Sequence, residues 1–225
     1  MPERPTIAII GGTGALGSGL ATRWAAAGYA VVIGSRSRSK AEAAARAIQP
    51  GDGAPAARGL DNVEAARAAD IVVVAVPYSN HDATLDELKD AVAGKIVIDA
   101  VVPLVPPRVS VVQLPPQGSA AQAAQARLGD RARVVAAFHN VGAAKLRGTG
   151  AVDCDVLVFG DDRNARDAAI ALAGAAGTRG IDGGVLANSV AAEALTSVLI
   201  GINRRYRVDC AGIRITGLEP GASSA

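Results

Sequence analysis

The first chemistry legible in the chain lies in seven residues, Gly11-Gly12-Thr13-Gly14-Ala15-Leu16-Gly17, which follow the apolar run Ile7–Ile10. They contain the spacing Gly12-x-Gly14-x-x-Gly17 and open an alanine-rich stretch, Leu16–Ala27. Each glycine serves a separate physical need. The first makes a tight turn, the second lets the backbone approach a pyrophosphate, and the third permits close packing of helix on strand. Backbone amides at the start of the helix, aided by its dipole, then hold the anionic bridge of a dinucleotide. Glycine is abundant here, with 26 residues, so the spacing alone is weak. Its position between a strand and a helix is what favours a binding turn over one that merely packs.

A second cluster lies where the ribose of such a ligand is read. The run Val31–Ile33 ends in Gly34-Ser35-Arg36-Ser37-Arg38-Ser39-Lys40. A dinucleotide with a free 2′-hydroxyl calls for Asp or Glu at this point, and none occurs before Glu42. Ser35 offers a hydroxyl, and Arg36, Arg38 and Lys40 offer positive charge suited to a phosphate monoester. The residues therefore predict NADP(H). Further on, Ala75-Val76-Pro77-Tyr78 ends another apolar run, with Val76 and Pro77 as an apolar wall and Tyr78 as a partial cover of the ligand.

These groups need a frame. Strands are predicted at Ile7–Ile10, Val31–Ile33, Ala57–Leu60, Ile71–Val76, Ile96–Ile98, Val134–Phe138 and Val156–Phe159. Helices are predicted at Leu16–Ala27, Lys40–Ile48, Asn62–Ala69, Asp82–Val92, Ser119–Leu128 and Arg163–Ala176. Short β-branched runs alternating with alanine-rich helices predict a doubly wound α/β fold, a mostly parallel sheet covered on both faces. The five prolines of Val101–Pro116 predict an irregular passage, and Val185–Ile202 reads as a helix apolar nearly all round, hence buried. One domain over residues 1–225 is expected, with 185–218 as a C-terminal helical segment over the crevice and the tail from Leu218 frayed.

Composition sets limits. Half of the 225 residues are hydrophobic, which excludes intrinsic disorder, while only 3% are aromatic, too few for a surface that stacks on single-stranded bases. The 23 basic and 21 acidic side chains are too balanced for general polyanion binding, so no nucleic-acid partner is expected. Cys154 and Cys210 match no metal or redox spacing, and no metal site is expected. No leader precedes the first strand and the apolar runs are interrupted, so a cytoplasmic protein without a membrane partner is expected.

Taken together, Ile9-Ile10-Gly11-Gly12-Thr13-Gly14-x-Leu16-Gly17, Gly34-Ser35-Arg36, Lys40-Ala41-Glu42 and Ala75-Val76-Pro77-Tyr78 resemble the NADPH:coenzyme F420 oxidoreductases. The second half adds Ser119-Ala120-Ala121, Phe138-His139-Asn140, Phe159-Gly160-Asp161-Asp162, Leu186-x-Asn188-Ser189-x-x-x-Glu193-x-Leu195-Thr196 and Gly212-Ile213-Arg214. The resemblance spans Thr6 to Leu218. It implies hydride exchange between the nicotinamide C4 of NADPH and C5 of a 5-deazaflavin. It also implies that Thr13, Ser35, Arg36 and Lys40 hold the ribose and its phosphate. Val76, Asn80, Val102, His139, Val141 and Ala143 would lie along the cofactor, and Asn188, Ser189, Glu193, Thr196 and Ala211 on the acceptor side. Val190 and Ala194 depart from the pattern, where an arginine and a serine are expected.

A deazaflavin takes the hydride and handles its proton on its own ring, so the protein needs to position two rings and no catalytic side chain is assigned. His139, at the end of a strand on the crevice side, either touches a ligand or bonds to backbone. Ser189, Glu193 and Thr196 share one helical face and burying them costs free energy unless they are bonded, which suits the acceptor side or a contact with a second subunit of a homodimer. Two other readings remain open: an NADPH-dependent reductase of another acceptor (flavin, metal chelate or imine), and an NADPH-binding sensor without turnover.

Overall fold

The computed structural model describes residues 4–148 and 150–218; the expected fraying of the tail beyond Leu218 lies outside the described residues. Eight strands form one sheet: β1 (Ile7–Ile10), β2 (Val31–Gly34), β3 (Arg58–Leu60), β4 (Ile71–Val74), β5 (Ile96–Asp99), β6 (Arg133–Ala136), β7 (Asp155–Gly160) and β8 (Arg179–Asp182). Their spatial order is β3-β2-β1-β4-β5-β6-β7-β8. Pairing is parallel from β3 to β6, antiparallel between β6 and β7, and parallel again between β7 and β8. Seven helices cover it: α1 (Ala15–Ala26), α2 (Arg38–Arg46), α3 (Asn62–Arg67), α4 (His81–Leu88), α5 (Ala120–Leu128), α6 (Arg163–Ala175) and α7 (Ser189–Tyr206).

The two faces of the sheet carry two cores. Ile7, Ile9, Val31, Ile33, Val73 and Ile98 point to one side, where α1, α2 and α6 contribute Leu20, Trp24, Ala45 and Leu172. Ala8, Ile10, Val32, Val72, Val74 and Val97 point to the other, against Ala65, Leu85, Leu88 and Leu128 of α3, α4 and α5. Residues alternate between faces with period two, so a continuous apolar run is what a strand covered on both sides requires. Trp24 anchors the first core with a bond from its indole N–H to Leu172 O at 2.8 Å.

Several expectations need correction, the first being the predicted strand Ile71–Val76, which ends at Val74. The edge strand β8 is absent from the sequence reading because its four residues, Arg-Gly-Ile-Asp, include two charges and a glycine. The predicted strand Val134–Phe138 stops at Ala136, and Phe138 turns the chain with φ of +69°. Finally, 185–202 is not a helix buried all round. A short turn, Leu186–Asn188, precedes α7, and Val185 and Val198 are 53% and 45% exposed. Its buried face is largely polar, with Ser189, Glu193 and Ser197 beside Ala192 and Leu199. By length and composition Leu186–Tyr206 is apolar enough to cross a membrane, contrary to the reading of short broken runs; its buried glutamate instead ties it into the fold.

Candidate functional site: a dinucleotide cleft at the carboxyl edge of the sheet

The parallel strands β1, β2 and β4 end at one edge, and a cleft of about 270 Å³ opens there. Gly11, Thr13, Gly14, Ser35, Arg36, Asn62, Ala75, Val76, Pro77, Asn80 and Thr84 line it. The glycine turn fits a pyrophosphate. A Cβ on Gly17 would sit 2.6 Å from Gly11 O and 2.8 Å from Gly12 Cα, so only glycine lets α1 approach the turn. A Cβ on Gly14 would meet only Gly11 O, at 3.2 Å, which leaves the approach to the backbone open. No side chain caps α1 and no acidic residue occupies its first turn. Its leading amides are thus available to an anion. Thr13, Gly14 and Ala15 lie on the exposed rim, while Gly12 and Gly17 are buried and Leu16 packs on the core.

At the end of β2, Ser35 is half-buried and its hydroxyl accepts the Ser37 N–H at 3.2 Å. Arg36 is exposed on the cleft wall. Arg38, counted as available positive charge in the sequence reading, is spent: it pairs with Glu64 at 2.6 Å and Glu42 at 3.3 Å. Arg36 and Lys40 make no ion pair among the described residues. Lys40 stands on exposed α2, outside the cleft lining.

Sequence reasoning missed Asn62 and Thr84. Asn62 is buried, bonds Glu87 through Nδ2 at 3.3 Å, and leaves its Oδ1 without a partner beside Ser35 and Arg36. Thr84 donates to Asn80 O at 2.7 Å and fixes the wall formed by Val76, Pro77 and Asn80. Tyr78 faces elsewhere. Its ring stacks on His81 at 6.3 Å and borders a separate hollow with Asp82, Gln117 and Arg127. Burial, then the Asp82 and Glu193 charges, raise its phenol pKa.

The remaining expected contacts lie outside that lining, towards β5 and β6. Val102 follows β5 and is half-buried. His139 is buried after β6 with both ring nitrogens unpartnered, and burial pushes its pKa down to about 4 against the pull of Asp99. The imidazole is therefore neutral at neutral pH. Val141 is buried, and Ala143 begins the short helical turn Ala143–Arg147 that packs on α1. Lys145 belongs to that turn, and its carbonyl accepts from Arg23 at 3.2 Å.

The polar residues of α7 are satisfied within the chain. The Glu193 carboxylate accepts the N–H groups of Ala120 (2.6 Å) and Ala121 (3.1 Å) at the start of α5. Burial, with a smaller push from Asp99, raises its pKa to about 8 against those two amides and His81. Ser189 bonds Ser119, the N-cap of α5, at 2.8 Å. Thr196 donates to His139 O at 2.9 Å, and Asn140 donates to Ala192 O at 3.0 Å. Asn188 is exposed and reaches Gly183 O at 3.3 Å, while the Ala211 N–H is held by Asn203 at 2.8 Å. Ser189, Glu193 and Thr196 thus find their partners within the chain, an arrangement the sequence did not point to.

Fold and cleft define a doubly wound dinucleotide-binding protein whose second strand ends in serine and arginine instead of a carboxylate. The chain belongs to the coenzyme F420-dependent NADP oxidoreductase family: the family model "NADP oxidoreductase coenzyme F420-dependent" matches residues 6–103, and relatives match nearly end to end. An F420-dependent NADP reductase from Methanothermobacter marburgensis is 44% identical, over 94% of this chain and 98% of its own. Another from Methanocaldococcus jannaschii is 42% identical, over 95% and 99%. A crystal structure provisionally assigned as an F420-dependent NADP reductase, from Arthrobacter sp. FB24, superposes with a TM-score of 0.78 at 26% identity. It covers 95% of this chain and 100% of that one.

Proposed function

We propose that this protein transfers hydride between NADP(H) and the 5-deazaflavin coenzyme F420. The observation that carries the reading is the cleft itself, in which an uncapped glycine turn, Ser35 and Arg36 converge without an intervening carboxylate. The names of the full-length relatives supply the acceptor. When bound, NADPH supplies the hydride at nicotinamide C4 and the deazaflavin ring receives it at C5.

The residues of this chain bind, orient and exclude water. The amides of Thr13 and of Ala15 to Gly17 hold the pyrophosphate, those of Gly12 and Gly14 being bonded to Ile9 O and Gly11 O, and Ser35, Arg36 and Lys40 hold the 2′-phosphate, with Asn62 Oδ1 accepting from the adenosine side. Val76, Pro77 and Asn80 form the wall along the ligand, and Val102, His139, Val141 and Ala143 complete it beyond β4. Tyr78 stands beside this wall, stacked on His81. Asn188, Ala211 and the frame set by Ser189, Glu193 and Thr196 define the acceptor side. No side chain is assigned to bond making or breaking; the residues of this chain would raise the rate by positioning the two rings.

The unit is a single domain in which 185–218 serves as the acceptor-side segment. The exposed Val185 and Val198 favour a homodimer through α7. Balanced charge speaks against a nucleic-acid partner, and the Glu193 bonds that tie α7 to α5 speak against a membrane partner, which suits a cytoplasmic enzyme. The test is absorbance at the nicotinamide band with NADPH and, in turn, F420, FMN, FAD and a ferric chelate. Oxidation with F420 alone is expected. Oxidation only with another acceptor, or tight NADPH binding with none, overturns the proposal.

A further inference from the structure

Two side chains beneath the cleft have no role in the binding scheme above. His81, the first residue of α4, and Asp99, the last of β5, are both fully buried, with Nε2 2.6 Å from Oδ2. The second Asp99 oxygen accepts the Val101 N–H at 2.9 Å. The Asp99 carbonyl accepts the Ala137 N–H at 3.2 Å, and the Ala100 N–H bonds Val74 O at 3.0 Å. One carboxylate therefore gathers the start of α4, the exit of β5 and, through its backbone, the extension of β6.

Such a pair is a costly way to fill a core. Two buried polar groups lose hydration that their mutual bond only partly restores, and an apolar pair of similar volume serves stability at least as well. What a short, directional bond adds is a fixed position. The position fixed here is that of the start of α4, the wall next to Asn80, against the chain that leaves β5 towards Val102. Other groups facing His81 do not replace Asp99. The Asp82 carboxylate is 3.9 Å from Nδ1 and exposed, Tyr78 stacks on the ring, and Glu193 acts from α7 through charge alone.

Strand order says which half of the ligand this wall serves. With the 2′-phosphate read at the end of β2 and the pyrophosphate at β1, the other end of the dinucleotide must run towards β4, β5 and β6. We propose that His81 and Asp99 are positioning residues for the nicotinamide half of NADP(H), holding the α4 wall against the end of β5. The proposal rests on NADP(H) being the ligand; it does not depend on the acceptor.

The test compares the whole protein with His81→Leu and His81→Gln, whose amide can still donate to Asp99. Calorimetry with NADPH and with 2′,5′-ADP, which lacks the nicotinamide half, separates the two ends. His81→Leu should weaken NADPH about tenfold and leave 2′,5′-ADP within about twofold, with His81→Gln recovering most of the loss. In turnover with F420, kcat should fall by about 10- to 100-fold in His81→Leu as the ring is misplaced. Unchanged NADPH affinity, equal loss for both ligands, or His81→Gln as impaired as His81→Leu would each overturn the proposal. If His81→Leu does not fold, Asp99→Asn is judged by the same two affinities. A wild-type protein inert towards F420 would defeat the proposed reaction and leave this binding test intact.

Discussion

The two halves of the molecule treat their polar groups in opposite ways. Around the β1–α1 turn, donors are left open: α1 has no side-chain cap, and Arg36 has no ion-pair partner among the described residues. Around α7, donors and acceptors are closed on one another, Glu193 with α5 and Thr196 with the chain after β6. Both regions look polar in the sequence, yet the stripe Ser189, Glu193 and Thr196 is satisfied within the chain, and beside α7 only His139 and Asn140 keep unpartnered atoms. A buried polar residue is evidence for a site only when its partners are missing.

The largest expected effect tests the closed half. Glu193→Ala would leave the Ala120 and Ala121 amides buried without acceptors, and should destabilise the fold by about 3 kcal/mol in denaturant unfolding. Glu193→Gln removes the titration and keeps one of the two acceptors, so it is compared by its pH slope and not by its absolute stability. A carboxyl with a folded pKa of about 8 keeps a proton that the unfolded chain loses near 4.5, so the native state binds more protons across that window. Stability from this group is fully present below pH 4.5 and falls as pH rises towards 8. His81, whose pKa burial lowers but Asp99, Asp82 and Glu193 raise on balance, adds a loss of the same sign at the upper end. The melting temperature of the wild type should therefore drop more steeply than that of Glu193→Gln between these limits. Parallel slopes would mean that α7 is not held through a protonated glutamate.

The open half is tested by two glycines that look equivalent in the motif. Gly17→Ala places a methyl against backbone at 2.6 and 2.8 Å, and should cost about 1–3 kcal/mol of stability along with NADPH binding. Gly14→Val meets only Gly11 O, at 3.2 Å from its Cβ, in an extended conformation any residue adopts. It should leave the melting temperature nearly unchanged and weaken NADPH by about 10- to 100-fold, by obstructing the approach to the amides. If both variants lose stability equally, the turn is a packing device and the contrast between the halves weakens.

How much of this was legible follows from the range of each interaction. The seven predicted strands are all present, because β-branched runs covered on both faces carry a local signal. The glycine turn was legible for the same reason: its chemistry is contained in seven consecutive residues. The β6–β7 antiparallel junction and β8 were not, since an edge strand with two charges resembles a loop. Asn62 and the His81–Asp99 pair depend on which strand ends stand side by side. Eighteen residues separate His81 from Asp99, and only the sheet order brings them to 2.6 Å. The polar stripe of α7 was visible, but not its partners, 70 to 73 residues away in α5 and its cap.

The smallest effect concerns how the open half discriminates between cofactors. Among the basic residues after β2, Arg38 is neutralised by Glu42 and Glu64, so its removal should not alter the preference between cofactors. Arg36 lines the cleft beside Ser35 and carries a guanidinium outside any ion pair among the described residues, suited to a phosphate monoester. Arg36→Ala should weaken NADPH by about tenfold, the range of one charge-assisted bond, while NADH affinity stays within about twofold. Arg38→Ala is the matched control, because it removes the same charge two residues away. Titrating both cofactors against both variants measures the difference directly. Equal loss of NADPH and NADH in Arg36→Ala would reject the phosphate contact. A loss specific to NADPH in Arg38→Ala would show that its ion pairs open when the ligand binds, moving the selective charge from the strand end to the first turn of α2.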